Sequence, residues 1–110
     1  MDIFKLFRRA NIDQEIEIYK TTPGAFLLDV RSDEEFSAGH IPGSINIPVE
    51  KISGVEKIIS DHNVPVFIYC LRGTRSLRAA EMMRKSGYKN VKSIGGIASY
   101  KGFLEKQTAL

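Results

Sequence analysis

The fold of this chain is decided by the stretch Val64–Ser76, which reads VPVFIYCLRGTRS. Its first half is a nearly continuous apolar run, a pattern typical of a strand that is covered on both faces. Its second half is a short loop containing Gly73, and a helical pattern follows from Arg75 to Lys85. A buried strand that passes directly into a helix is the building unit of an α/β domain with a parallel sheet.

The rest of the chain repeats this alternation. Further strands are predicted at residues 25–30, 45–48 and 91–94. Helices are predicted at residues 12–20, 49–60 and 75–85, and a short helix is predicted to begin at the capping box of Ser32 and Glu35. In the helix at residues 75–85, Leu77, Ala80 and Met83 are predicted to face inward. Gly95 and Gly96 predict a tight turn into a short helix that ends near Glu105. The sequence therefore predicts an α/β fold with a central, mostly parallel sheet and helices on both faces.

Length, charge and composition limit the classes of function. A chain of 110 residues suits one domain, residues 1–110, with its core at about residues 11–104. The net charge is +3, and most of the basic residues are spread along the chain. The sequence lacks the clustered basic residues with interleaved aromatic residues that are typical of a nucleic-acid-binding protein. Apolar residues at 3–7 fit either a short amphipathic helix or a strand, and charges interrupt them. We expect no secretory signal, no membrane span, a cytoplasmic location and a monomer.

The single cysteine narrows the chemistry further. One thiol can form neither an intramolecular disulfide nor a CxxC pair, and His40 and His62 lack metal-ligand spacing. These residues therefore predict no metal site. No phosphate-binding glycine motif is present, so the sequence predicts no nucleotide cofactor either.

Cys70 is the candidate nucleophile. It ends the most strongly predicted strand, at the sheet edge where α/β folds place their ligand sites. The amides of Leu71, Arg72, Gly73, Thr74, Arg75 and Ser76 can form an anion cradle there. The helix N-terminus and the charges of Arg72 and Arg75 would favour a reactive thiolate. The alternative is an inert, buried cysteine that only packs in the core.

Several motifs, taken in order, resemble the rhodanese family. They are Ile12–Glu15; Leu28–Arg31 with Glu35 and Phe36; Gly39–Pro48; Tyr69–Ser76; and Gly95–Ile97 with Tyr100. The likeness extends over about residues 11–104, and agreement of several motifs is stronger evidence than any one of them. Tyr100 stands where many members of the family have tryptophan.

The resemblance implies sulfur transfer through a Cys70 persulfide. The donor would be a small sulfur anion such as thiosulfate, attracted by Arg72 or Arg75. The acceptor would be an external thiol or cyanide, possibly on a protein, because the chain has no second cysteine. A second hypothesis is a carrier or binding module that hands sulfur to a partner. A third, a Cys-based phosphatase or arsenate reductase, fits less well, because those relatives resemble Cys-x5-Arg and this loop is Cys-x4-Arg.

Three further residues are candidates for supporting roles. Asp29 and Arg31 could line the active site, although a structural ion pair between them is the favoured interpretation. His40 could act as a general base, but a hydrogen-bonded loop residue is again favoured.

Overall fold

The computed structural model describes residues 11–107, whose four strands form one parallel sheet with the order β2-β1-β3-β4. The strands are β1 (Phe26–Asp29), β2 (Ile45–Asn46), β3 (Val66–Cys70) and β4 (Val91–Gly96). The α-helices are α1 (Ile12–Lys20), α2 (Asp33–Ala38) and α3 (Thr74–Lys85), and two 3-10 helices span Val49–Lys57 and Ile97–Ser99. Every strand pairing is parallel, which confirms the predicted α/β class.

Helices cover both faces of the sheet, as predicted. Side chains of alternate strand positions point to opposite faces, so each face builds its own core. The first core joins the sheet to α3 and the longer 3-10 helix; it includes Leu28, Ile68, Val55, Ala80 and Met83. The second joins the sheet to α1; it includes Leu27, Phe67, Ile94, Ile12 and Ile16.

One predicted core position is wrong. Leu77 was expected to face inward, but 64% of its surface is exposed. The buried positions of α3 are instead Ser76, Ala79, Ala80 and Met83. These four follow the i, i+3, i+4, i+7 spacing of one helix face, and Ser76 takes the place that hydrophobicity alone would assign to Leu77.

Three other elements differ in detail from the predictions. The helix expected over residues 49–60 is a 3-10 helix, and Gly95 and Gly96 belong to β4 instead of forming a tight turn. The helix expected to end near Glu105 is only Ile97–Ser99, and Glu105 forms an antiparallel bridge with His40. The apolar residues 3–7 lie outside the described part of the chain. Within residues 11–107, no helix has the length and apolar character needed to cross a bilayer.

Candidate active site

The site lies where three neighbouring strands end. Tyr69 of β3 pairs with Asp29 of β1, and Cys70 pairs with Gly96 of β4 after a shift in register. Since all the strands are parallel, their carboxyl ends meet at one edge of the sheet, where open α/β folds bind ligands. The chain then turns through Leu71–Gly73 into α3.

The sulfur of Cys70 is held by the loop that follows it. The amide of Gly73 donates to Sγ at 2.9 Å, and the amide of Ser76 donates at 3.4 Å. The hydroxyl of Ser76 lies 3.6 Å from the same sulfur. Only 1% of Cys70 is exposed, and the residue also belongs to the core on the side of α3. The structure therefore brings Gly73 and Ser76, two of the predicted cradle residues, onto the candidate nucleophile.

Gly73 is needed for this arrangement. Its φ of +109° lies in the left-handed region, which side chains other than glycine rarely adopt. This conformation turns the amide of Gly73 toward Sγ at the start of α3. The N-cap residue of this helix is Gly73, which has no side chain to cap the first turn. The amides at its N-terminus are consequently available to the sulfur.

The surroundings lower the pKa of the Cys70 thiol. Burial is the largest single influence and acts in the opposite direction, because it disfavours the charged form. The hydroxyl of Ser76 and the amides of Ser76, Gly73 and Arg72 together outweigh it. The sequence predicted an acidified thiol with help from arginine charges; direct hydrogen bonds are the main influences that lower the pKa, and the charge of Arg75 also interacts favourably with the Cys70 thiolate. A thiolate is the nucleophilic form of cysteine.

Gly96 lets β4 approach the loop closely. A Cβ atom added to Gly96 would overlap the carbonyl oxygen of Leu71 and lie 2.5 Å from Cα of Arg72. The amide of Ala98 donates to that same carbonyl at 3.1 Å. The sequence predicted only a tight turn at Gly96. Its role is to leave room for the backbone that follows Cys70.

Arg75 forms an ion pair that the sequence did not reveal. Its guanidinium donates to the two carboxylate oxygens of Glu35 at 2.7 and 3.0 Å. The hydrogen bond from Arg75 is the main reason that the pKa of Glu35 falls from its usual 4.5 to about 2. Glu35 was predicted only as the capping residue of α2, and it fills that role as well. Its carboxylate thus ties the helix after β1 to the helix after β3.

Arg72 and Thr74 have different surroundings from Arg75. Both side chains are exposed, and no carboxylate of residues 11–107 forms an ion pair with Arg72. Leu71, next to Cys70, is 37% exposed. A pocket of about 470 Å³ adjoins the loop and is lined in part by Arg72, Gly73, Thr74 and Ser93. This volume is in the range of small-molecule sites.

Asp29 and Arg31 form the buried ion pair that was favoured from the sequence. Asp29 is fully buried, Arg31 is 5% exposed, and Nη2 of Arg31 lies 2.6 Å from Oδ2 of Asp29. Burial disfavours the charged guanidinium, but the hydrogen bond and charge of Asp29 outweigh it and raise the pKa of Arg31. Nη2 also donates to the carbonyl of Gly39 at 2.7 Å. The pair therefore anchors the turn that follows α2.

His40 is engaged in the same turn. Its ring stacks on Phe36 with centroids 3.8 Å apart, and Nδ1 lies 2.9 Å from the carbonyl oxygen of Phe36. Nε2 lies 3.6 Å from the carboxylate of Glu105. Among the described residues, no hydrogen bond joins His40 to Cys70. No cluster of three or more potential metal ligands occurs within residues 11–107.

Comparison with protein-family models identifies a match over nearly all of the described chain. The model of the rhodanese-like domain matches residues 10–103. This range contains all four strands and the whole loop around Cys70.

Individual relatives agree with this match. The chain is 33% identical over 100 residues to a human thiosulfate:glutathione sulfurtransferase, covering 76% of this chain and 83% of that protein. It is 30% identical to a probable molybdopterin-synthase adenylyltransferase from Porphyra purpurea, covering 84% of this chain but only 25% of that protein. The fold matches a solved rhodanese with anions from E. coli at 30% identity and a TM-score of 0.70, covering 74% of this chain and 98% of that one.

Proposed function

The chain belongs to the rhodanese-like domain family, and from this premise we propose that it is a sulfurtransferase that carries sulfur as a persulfide on Cys70. We propose thiosulfate or a similar small anion as the donor, in keeping with the donor named for the human relative. The acceptor is an external thiol or cyanide, since residues 1–110 contain one cysteine. A free thiol of this kind suits a reducing, cytoplasmic setting.

The loading step is a displacement at sulfur. The Cys70 thiolate attacks the outer sulfur of thiosulfate and forms a new S–S bond. The bond from that sulfur to the sulfite group breaks, and sulfite leaves with the electron pair. Cys70 then holds a persulfide anion, and no external oxidant or reductant is consumed.

In the unloading step the same outer sulfur is attacked a second time, and the Cys70 sulfur changes from nucleophile to leaving group. An acceptor thiolate or cyanide attacks the outer sulfur of the persulfide, and the Cys70 thiolate leaves with the electron pair of the S–S bond. The products are an acceptor persulfide or thiocyanate and the original enzyme thiolate. The amides of Gly73 and Ser76 donate to the Cys70 sulfur, so they can stabilise the thiolate that attacks in the first step and leaves in the second.

The observation that carries this proposal is the convergence of donors on the Cys70 sulfur. A buried, inert cysteine does not require a left-handed glycine to aim an amide at it at 2.9 Å. The ion pair of Arg75 disfavours a phosphatase, because its guanidinium already binds the carboxylate of Glu35. We assign attraction of the donor anion to Arg72 instead.

Intact-mass measurement after incubation with thiosulfate tests the proposal. We expect the protein to gain one sulfur atom, and Cys70→Ser to gain none. Addition of cyanide should return the loaded protein to its original mass and release thiocyanate. If thiosulfate leaves the mass unchanged but a persulfidated protein donor loads Cys70, the thiosulfate-specific part is wrong and the chain is a carrier. If neither donor loads Cys70, sulfur transfer itself is wrong.

A further inference from the structure

Ser93 lies in a chain of hydrogen bonds that ends at the candidate nucleophile. Its Oγ is 2.7 Å from Oγ of Ser76, and Oγ of Ser76 is 3.6 Å from Sγ of Cys70. Oγ of Ser76 also lies 3.0 Å from the carbonyl oxygen of Gly73. Ser93 does not contact the sulfur itself, so any effect on Cys70 passes through Ser76.

The strand pattern explains why Ser93 faces this position. In β4, Val91 belongs to the core on the side of α3, and Ile94 belongs to the core on the side of α1. Since alternate residues of a strand point to the same face, Ser93 shares the α3 side with Val91. Ser76 is the fully buried residue of α3 that meets it there. A polar side chain at this point of a core needs a polar partner.

Counting protons defines what Ser93 can contribute. Ser76 has a single hydroxyl proton, and its neighbours are the Gly73 carbonyl, the Ser93 hydroxyl and the Cys70 sulfur. If Ser76 donates to Ser93 or to Gly73, the sulfur receives no proton from its hydroxyl. If Ser93 donates to Ser76, the Ser76 proton can turn to the thiolate while its oxygen keeps a donor. A donated hydrogen bond also makes the receiving hydroxyl a stronger donor.

We propose that Ser93 is a positioning residue whose hydroxyl donates to Ser76 and so directs the Ser76 hydroxyl to the Cys70 thiolate. The role rests on the proposed function, in which the Cys70 thiolate is the attacking group. When the thiol is protonated, Ser76 donates to the Gly73 carbonyl and the Cys70 S–H can donate to Ser76. When the thiol loses its proton, the Ser76 proton moves from the carbonyl to the sulfur, and Ser93 remains its donor.

The pH dependence of alkylation of Cys70 by iodoacetamide tests this role without requiring sulfur transfer. We expect Ser93→Ala to move the midpoint of the alkylation rate upward by roughly half a pH unit, which is about a threefold loss of thiolate below the midpoint. Ser93→Thr should restore the midpoint, because threonine keeps the hydroxyl and suits a strand. An unchanged midpoint in Ser93→Ala would overturn the proposal.

Two further variants separate positioning from a general effect on packing. Ser99→Ala removes another hydroxyl from the lining of the same pocket and should leave the midpoint unchanged. In a Ser76→Ala background, the Ser93→Ala change should have no further effect, because the group through which Ser93 acts is gone. An equal shift in both backgrounds would contradict a role through Ser76.

Failure of this inference and failure of the proposed function give different results. If Ser93→Ala leaves the alkylation profile unchanged while thiosulfate still loads Cys70, only the role of Ser93 is wrong. If the alkylation midpoint shifts as expected but no donor loads Cys70, the hydrogen-bond chain is correct and sulfur transfer is wrong.

Discussion

The strands β1 and β3 end side by side, yet the helices that follow them begin in opposite ways. After β1, the Ser32 side chain accepts from the amide of Glu35, and the Glu35 carboxylate accepts from the amide of Ser32. After β3, the N-cap residue Gly73 has no capping side chain, and the amides of Gly73 and Ser76 donate to the Cys70 sulfur instead. One helix start is satisfied by its own side chains, and the other is satisfied by the Cys70 sulfur.

This difference shows how one sheet edge can serve two purposes. Amides that a cap has satisfied can no longer bind a ligand, whereas amides left without a cap form a site for negative charge. The capped region also carries the buried Asp29–Arg31 pair, which anchors it. The two regions are joined by the ion pair between Glu35 and Arg75. The capped loop, residues 32–35, can therefore act as the support that holds the uncapped loop, residues 71–73, in place.

The largest expected effect comes from displacing the uncapped loop. In Gly96→Ala, the new methyl group would collide with the carbonyl of Leu71, so the backbone after Cys70 must shift. Misplacement of reacting groups by about 1 Å can cost roughly 100-fold in rate. We expect a loss of that order in the rate of sulfur loading from thiosulfate, measured by time-resolved intact mass.

A glycine elsewhere in the chain provides the matched control. Gly54 has open space around its Cα and no left-handed φ, so Gly54→Ala should load sulfur at the normal rate. Loading by Gly96→Ala at the same rate as Gly54→Ala would show that the close approach of β4 does not position the loop.

The second effect comes from cutting the link between the two regions. Glutamine can still close a capping box, so Glu35→Gln should keep the start of α2 and weaken only the attachment of Arg75. Both partners are about one-third exposed, so solvent screening limits the ion pair to about 1 kcal/mol. We expect roughly a fivefold fall in kcat/KM for thiosulfate. A fall as large as that of Gly96→Ala would mean that the capped loop does more than support.

The same variant predicts a change in acid stability. The pKa of Glu35 is about 2 in the folded protein and about 4.5 without its partners, so the unfolded state binds a proton first as pH falls. The stabilisation is fully present above pH 4.5 and is lost between pH 4.5 and 2. Glu35→Gln should lack this part of the acid destabilisation in thermal unfolding measured across that range. If the unfolding temperature falls equally steeply with pH in both proteins between pH 4.5 and 2, the assigned pKa of Glu35 is contradicted.

A third and smaller effect should come from the exposed charge beside the loop. Arg72 has no carboxylate partner within residues 11–107, so its attraction for a dianion is long-range and screened by salt. Arg72→Ala should raise KM for thiosulfate two- to threefold at low salt, with the difference disappearing near 1 M salt. Arg78 is an exposed arginine on α3, and Arg78→Ala should change KM less. Equal changes would show that general charge, not Arg72, attracts the donor.

Local patterns predicted the parts of the site that are contiguous in sequence. The strand that ends at Cys70, the capping box of Ser32 and Glu35, and the loop containing Gly73 each follow from neighbouring residues. The parallel sheet followed from the alternation of strands with helices. The strand, the capping box and the loop depend on contacts within about six positions along the chain.

The features that were missed depend on contacts between distant residues. Arg75 meets Glu35 across 40 positions, and Ser93 meets Ser76 across 17. Neither pairing has a local signature, because each is created by the order of strands in the sheet. Leu77 was misplaced for a related reason: the inward position of α3 belongs to Ser76, whose partners come from other elements.

The smallest effect on activity should come from breaking the cap itself. Ser32→Ala removes the side chain that accepts from Glu35 but leaves the Glu35 carboxylate able to bind Arg75. Loss of such a cap costs about 1 kcal/mol, which lowers Tm by roughly 4–8 °C in a domain of this size. We expect that fall in a thermal unfolding measurement, together with a rate of sulfur loading within about twofold of the unmodified protein. The two loops would then differ as proposed, because damage to the capped loop lowers stability while damage to the uncapped loop lowers activity. A loss of loading as large as that of Glu35→Gln, at a temperature where the variant is fully folded, would show that the cap and the cradle act as one unit.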